Sequence, residues 1–251
     1  MNLQNKVVII TGSSSGIGAA TAELFAGHGA KIALNYAHNQ SGGEEILAKL
    51  QKISPAQEHI LIQADLATEA GVDKLFRETL AKFGRVDILI NNGGIPTDKV
   101  PFMDASLADM EEMIHADLLS VLMCSQRAAK IMAGNGGGKI LNTASIRGWQ
   151  FGGRAAVYAA CKAGVINFTA TFAKMVAADN ILVNAVAPGF TKTRNYNKLP
   201  PEMVEGFIEA TALKRFVAAE EIADAFLFLA KNDAITGQTI YVEAGYMLNK
   251  V

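Results

Sequence analysis

Seven short apolar runs recur along the chain, each bounded by turn residues: KVVIIT, AKIALNY, HILIQA, VDILIN, KILNTA, ILVNAV and QTIYVE. Runs of this length without polar alternation read as strands buried on both faces. Between most of them lie amphipathic stretches such as IGAATAELFAGHG, EEILAKLQKI and VDKLFRETLAKFG, in which apolar residues return every three or four positions and glycine ends the segment. Strand and helix therefore alternate, an order that calls for parallel strands joined by right-handed crossovers. The predicted fold is α/β: an open, doubly wound sheet of about seven parallel strands with helices on both faces. Ligands of such sheets lie beyond the carboxyl ends of the strands, so the loops after each strand are where chemistry is sought.

Composition narrows the partners. The 251 residues, 50% apolar and 19% charged, suit one well-packed domain over residues 1–251. A formal net charge of −1, with acids and bases scattered, leaves no electrostatic footprint for nucleic acid. The opening MNLQNKVVIITG holds one lysine and a very short apolar run, too little for a secretion signal or a membrane span. Cys124 and Cys161 lack paired spacing, which argues against a disulfide framework or zinc site and fits a cytoplasmic setting. His28, His38, His59 and His115 are too dispersed to suggest a metal. Small molecules and other subunits are the expected partners.

The first strand runs into TGSSSGIG, where Gly12, Gly16 and Gly18 are spaced GxxxGxG on a turn that opens a helix. Glycines let backbone approach a pyrophosphate, and the helix start offers free N–H groups and a positive dipole end. Gly12, Ser14, Ser15, Gly16, Ile17 and Gly18 are thus candidate dinucleotide contacts, although the pattern alone also fits a plain strand-to-helix turn. An acid ending the second strand would hold an adenosine ribose and repel a 2′-phosphate. That strand instead ends NYAHNQ, residues 35–40, with no acid and no Arg or Lys. Asn35 is the candidate here, and the neutral strand end favours NADP(H) over NAD(H).

Further along, YAACKAG places Tyr158 and Lys162 one helical turn apart on one face. By itself that spacing means a packed ring under a solvated amine as readily as chemistry. The glycine loop, INNGG after the fourth strand, NTAS after the fifth and YAACKAG in the next helix form an ordered set. With VNAVAPGFTKT and the closing ITGQTIYVEAG, the set resembles the short-chain dehydrogenase/reductase family across nearly the whole chain.

The resemblance implies a Rossmann-type fold and hydride transfer between a nicotinamide cofactor and an alcohol or carbonyl, with Ser145, Tyr158 and Lys162 as the catalytic trio. A free phenol has a pKa near ~10, so a tyrosine exchanging protons near neutrality needs its phenolate stabilised, which the Lys162 charge and the oxidised nicotinamide would do. Ser145 would hold the substrate oxygen. The resemblance also implies that Asp65 and Leu66 meet the adenine. Asn91, Asn92 and Gly93 would line the cofactor, with Gly93 where the family usually has Ala, and Pro188, Gly189 and Thr191 would flank the nicotinamide. For Asn91 a tight-turn role is an equal alternative.

One departure stands out. Many members carry a catalytic asparagine in the helix after the fourth strand, holding through its main-chain carbonyl a water that links the lysine to solvent. In MIHADLLSVLMCSQ, Asp117 takes that place. Its carboxylate adds an acceptor for the water or for Lys162, or a buried charge in need of a partner. The segment 190–215, with two prolines and mixed polar and aromatic residues, reads as a substrate lid. Phe190 and Tyr196 there, with Trp149 and Phe151 beyond Ser145, are pocket candidates, ordinary packing being the alternative for each. Reductases of acyl-carrier-protein substrates typically carry bases near the ends of two long helices to meet an acidic carrier. These ends read AGNGGG and VAADN, so a free alcohol or carbonyl is the expected substrate and the carrier-linked one the alternative, with a weakly active dinucleotide-binding module as a third reading. The apolar excess of the helices around 107–132 and 155–177 predicts a homodimer or homotetramer.

Overall fold

The computed structural model describes residues 1–149, 155–192 and 200–249. Six strands come first: β1 (Val7–Ile10), β2 (Lys31–Tyr36), β3 (Ile60–Gln63), β4 (Ile88–Asn91), β5 (Gly138–Thr143) and β6 (Ile181–Pro188). Two short strands, β7 (Thr191–Lys192) and β8 (Val217–Ala218), pair with each other in parallel apart from the rest. With β9 (Thr239–Val242), the first six form one seven-stranded sheet in the order β3-β2-β1-β4-β5-β6-β9, and every pairing in it is parallel. Each apolar run of the sequence supplies one of these strands.

Residue alternation explains the two layers of core. Val8 and Ile10 of β1 point to one face with Leu34, Ile88 and Ile90, against Phe25 of α1 (Gly16–Gly27), Leu50 of α2 (Gln40–Ile53) and Phe226 of α8 (Ala219–Lys231). Ile9 points the other way with Ala33, Leu89, Ile140 and Val183. It meets Phe76 of α3 (Glu69–Phe83), Met132 of α5 (Ser120–Gly134) and Ala173 of α6 (Ala156–Val176). Among the described residues the remaining α-helices are α4 (Leu107–Ile114) and α7 (Pro201–Glu209). Strand order reverses between β1 and β4, which opens a crevice at their carboxyl ends.

The long helix expected after β4 is broken by a π-helical turn, His115–Leu119, between α4 and α5. Single π turns inside α-helices mark places where a side chain is redirected, often at functional sites. Here the Ser120 hydroxyl donates 2.6 Å to the Ala116 carbonyl within the turn, and Asp117 at its centre is buried. Among the described residues, no helix is long and apolar enough to cross a membrane, and no group of three or more His, Cys, Asp and Glu could hold a metal.

Candidate active site

The loop after β1 is shaped for close approach. Gly12 has φ +61°, and a Cβ there would fall 2.5 Å from Gly93 Cα. Thr11 and Asn92 fix this approach. The Thr11 hydroxyl accepts from the Asn92 and Gly93 amides, both at 2.8 Å, while Asn92 Nδ2 donates to the Thr11 and Gly12 carbonyls. Ser15 precedes α1 without a side-chain capping bond, so the helix start keeps its N–H groups open to an anion. A cleft of about 730 Å³ runs from Gly12 and Asn35 past His38, Asp65 and Leu66 to Gly93. That is within the size range of cofactor sites. The bare backbone, the open helix start and the cleft fit a dinucleotide.

The second strand holds its asparagine inward. Asn35 is 3% exposed, and its Oδ1 accepts from Gly12 N at 3.3 Å while its Nδ2 donates to Ala64 O at 3.0 Å. It braces the glycine loop against the end of β3. Asn39 caps α2 by accepting from Gly42 N, and its Nδ2 donates to Ser14 O. Of the residues ending this strand, His38 is left exposed on the cleft wall.

At the other end of the crevice, β5 leads to Ser145, whose Oγ accepts from Arg147 N at 3.2 Å in the turn Ile146–Gly148. That turn presses on α6: a Cβ at Gly148 would lie 2.6 Å from the Lys162 carbonyl carbon. Lys162 reaches back, its Nζ donating to Thr143 O at 3.2 Å and standing 5.5 Å from the Tyr158 ring centroid. The turn that follows Ser145 is thereby packed against the face of α6 that carries Tyr158 and Lys162.

Asp117 joins them. Its Oδ2 accepts from Ile95 N at 2.7 Å, and its Oδ1 lies 3.0 Å from Lys162 Nζ, with the two side chains 1% and 6% exposed. Among the described residues Oδ1 meets no donor besides this ammonium, so the buried oxygen depends on the ion pair. The carboxylate sits so close to the loop after β4 that a Cβ at Gly94 would fall 2.5 Å from Oδ1. Burial works against the Lys162 charge, but Asp117 and then Tyr158 outweigh it and hold the ammonium above the ordinary lysine value.

Other expected residues are spread around these two ends. Asp65, exposed, accepts from Ala67 N, and Leu66 is buried beneath the cleft. The Asn91 side chain faces inward instead, donating to Ser125 Oγ at 3.0 Å and Asn142 Oδ1 at 2.9 Å, so what it can offer a ligand is backbone. Pro188 ends β6, Gly189 N donates to Val242 O, and the Thr191 hydroxyl donates to Gly189 O. Phe190 is stacked on Phe207 at 4.2 Å and edge-on to Tyr246 at 4.9 Å, while Trp149 is largely exposed. Phe151 and Tyr196 lie outside the described residues.

Asp98 was not singled out from the sequence. From the loop after β4 its Oδ1 accepts from Tyr158 N at 2.9 Å and its Oδ2 from Val157 N at 3.2 Å. It caps α6 from a distance. The signal was negative: QFGGRAAVYAA offers no Ser, Thr, Asp or Asn where that helix needs an N-cap, so the cap must come from elsewhere.

Residues 12–247 match the family described as enoyl-(acyl carrier protein) reductase. The chain is 38% identical over 249 residues to a 3-oxoacyl-[acyl-carrier-protein] reductase of Synechocystis sp., covering 98% of both chains. Its structure resembles a short-chain dehydrogenase/reductase of Serratia marcescens, with a TM-score of 0.90, 30% identity and 98% and 99% of the two chains covered. A 7α-hydroxysteroid dehydrogenase complexed with NADH and 7-oxo glycochenodeoxycholic acid matches with a TM-score of 0.91 and 30% identity, over 97% and 95% of the chains.

Proposed function

Because this chain belongs to the short-chain dehydrogenase/reductase family and is an NAD(P)-dependent oxidoreductase, we propose that Tyr158 is its general acid and base, tuned by Lys162, with Ser145 holding the substrate oxygen. The observation that carries this reading is the buried Lys162, whose ammonium is pinned between Thr143 O and Asp117 and stands 5.5 Å from the Tyr158 ring. When bound, the dinucleotide supplies or accepts the hydride. In reduction Tyr158 delivers its phenolic proton to the substrate oxygen, and in oxidation it takes one up. Ser145 fixes that oxygen by hydrogen bonding, and the Lys162 charge stabilises the phenolate left behind. Asp117 stands where the relay residue belongs and steadies the ammonium through which the proton is replaced.

The residues that would hold the cofactor are Gly12, Ser14, Ser15, Gly16, Ile17 and Gly18 at the pyrophosphate. Asp65 and Leu66 serve the adenine, the backbone of Asn91 and Gly93 the middle of the cleft, and Pro188, Gly189 and Thr191 the nicotinamide. NADP(H) is favoured over NAD(H), supported by the absence of a carboxylate from residues 35–40 and by His38 on the cleft wall. A free alcohol or carbonyl is the proposed substrate of a single domain, with residues 190–215, of which 193–199 lie outside the described residues, read as its lid. The last turn of α5 and the turn Ala177–Asp179 carry no base and support that substrate, while Lys174 in the last turn of α6 leaves one cation near that end. The carrier-linked reading is favoured by the Synechocystis relative and remains the second. Apolar Leu107 and Met175, each 70% exposed on α4 and α6, support a homodimer or homotetramer, which light scattering at micromolar concentration would report. The proposed setting is cytoplasmic.

A screen of alcohols, ketones and carrier-linked oxoacyl substrates with NAD(H) and NADP(H) in parallel tests the reading. Tyr158→Phe should lose about 10²–10⁴-fold in saturating turnover while still binding cofactor. Turnover undiminished in Tyr158→Phe would overturn it.

A further inference from the structure

We infer that Asp117 sets the pH window of catalysis: by pairing with Lys162 in the protein interior it offsets the positive charge that Tyr158 sees, favouring the phenol as proton donor and opposing its use as a base. The inference rests on Tyr158 and Lys162 having the roles proposed above. Its ground is the geometry of the pair. Asp117 Oδ1 lies 3.0 Å from Lys162 Nζ, and Nζ stands 5.5 Å from the Tyr158 ring centroid. Seen from the phenol, a positive charge is followed closely by a negative one, so the pull on the phenolic proton is that of a dipole and no longer of a bare cation.

The carboxylate cannot swing away. Ile95 N holds Oδ2 at 2.7 Å, and the π-helical turn and the bare Gly94 backbone confine the rest. Among the described residues, other charged or titratable groups around the pair include Cys161 on the same helix, Asp98 in the loop after β4 and Arg147 in the turn Ile146–Gly148 that packs on α6. Cys161 remains a neutral thiol because burial pushes it up to about 11. Asp98 is a second negative charge and acts in the same direction as Asp117. His115, in the π-helical turn, is directed to Ala67 O.

In reduction the phenolic O–H bond breaks and a new O–H bond forms on the substrate oxygen, leaving a phenolate to be reprotonated. In oxidation the same proton travels back. The overall equilibrium is a property of the reactants and is unchanged. What shifts is the pH at which each direction gains or loses its competent protonation state.

The experiment is a pair of pH–rate profiles, oxidation and reduction at saturating substrate, for wild type, Asp117→Asn and Tyr158→Phe. In Asp117→Asn the acidic limb of oxidation should move down by about one pH unit, a tenfold change in proton concentration, and the alkaline limb of reduction should fall correspondingly earlier. Limbs that stay in place would overturn the inference. So would movement upward, which would mean that the buried lysine had lost its proton once unpaired. Undiminished turnover in Tyr158→Phe would instead remove the underlying mechanism.

Discussion

The two ends of the crevice bury polar side chains in opposite ways. Under the dinucleotide end and through the sheet centre the buried groups are neutral and hydrogen-bonded: Asn35 bonds Gly12 and Ala64, and Asn91, Ser125, Asn142 and Thr169 form a chain of hydrogen bonds through the core. Under the catalytic end they are ions, Asp117 and Lys162, and one carboxylate oxygen depends on the lysine alone. Neutral amides fix backbone shape at modest cost and do not respond to pH. A buried ion pair is an expensive way to hold a loop, since hydrophobic side chains of like volume would serve as well. Its presence therefore points to a use for the charge itself, and the proton exchange of Tyr158 is the adjacent use.

The contrast should be visible first in stability. Lys162→Met leaves Asp117 buried with only the Ile95 amide for support, so it should cost about 3–5 kcal/mol, read by denaturant titration, besides removing activity. The loss should be steady across neutral pH. The folded lysine is held above its ordinary value, so its contribution is fully present below that value and fades only as pH rises through the raised one. A wild-type advantage that vanished between about pH 6 and 9 would break the account of a charged lysine.

On the neutral side, Asn35→Ala should cost about 1–3 kcal/mol, because Gly12 N and Ala64 O lose a partner in the interior. Its signature should be weaker cofactor binding with little change in saturated turnover. If turnover fell as much as affinity, the separation of a scaffold end from a proton-transfer end would fail. Asp98→Ala is expected to be smaller, about 0.5–2 kcal/mol for a lost helix cap, with its kinetic effect on the tyrosine side.

These residues also show what the sequence discloses. The strands, their alternation with helices and a site beyond their carboxyl ends followed from apolar runs and glycine stops, because burial on both sheet faces leaves a compositional trace. Tyr158, Lys162 and Ser145 were readable as an ordered motif set. The inward turn of Asn35 and Asn91 was not, because which way a strand-end side chain points depends on where the strand stops, and Asn91 faces the core while Asn92 turns to the loop. Asp98 and the break at Asp117 depend on partners far along the chain, Tyr158 and Ile95 among them, which local pattern does not carry.

The smallest expected effect separates the two ends by their cysteines. Cys124 lies in the apolar core under the sheet, and burial pushes its thiol up to about 12; Cys161 adjoins Lys162, and burial, then Asp117, push it up to about 11. Both are therefore thiols in the folded protein at neutral pH, and the thiolate is the nucleophile. Iodoacetamide at about pH 8 should modify neither until denaturant unfolds the chain. The unfolded chain ionises first as pH rises past the ordinary thiol value, so these groups contribute a loss of stability on the alkaline side. Equal protection of both thiols means that the two ends open together in global unfolding. Selective labelling of Cys161 means that the charged end opens locally while the neutral core stays closed, which would make the ion pair the weaker of the two solutions.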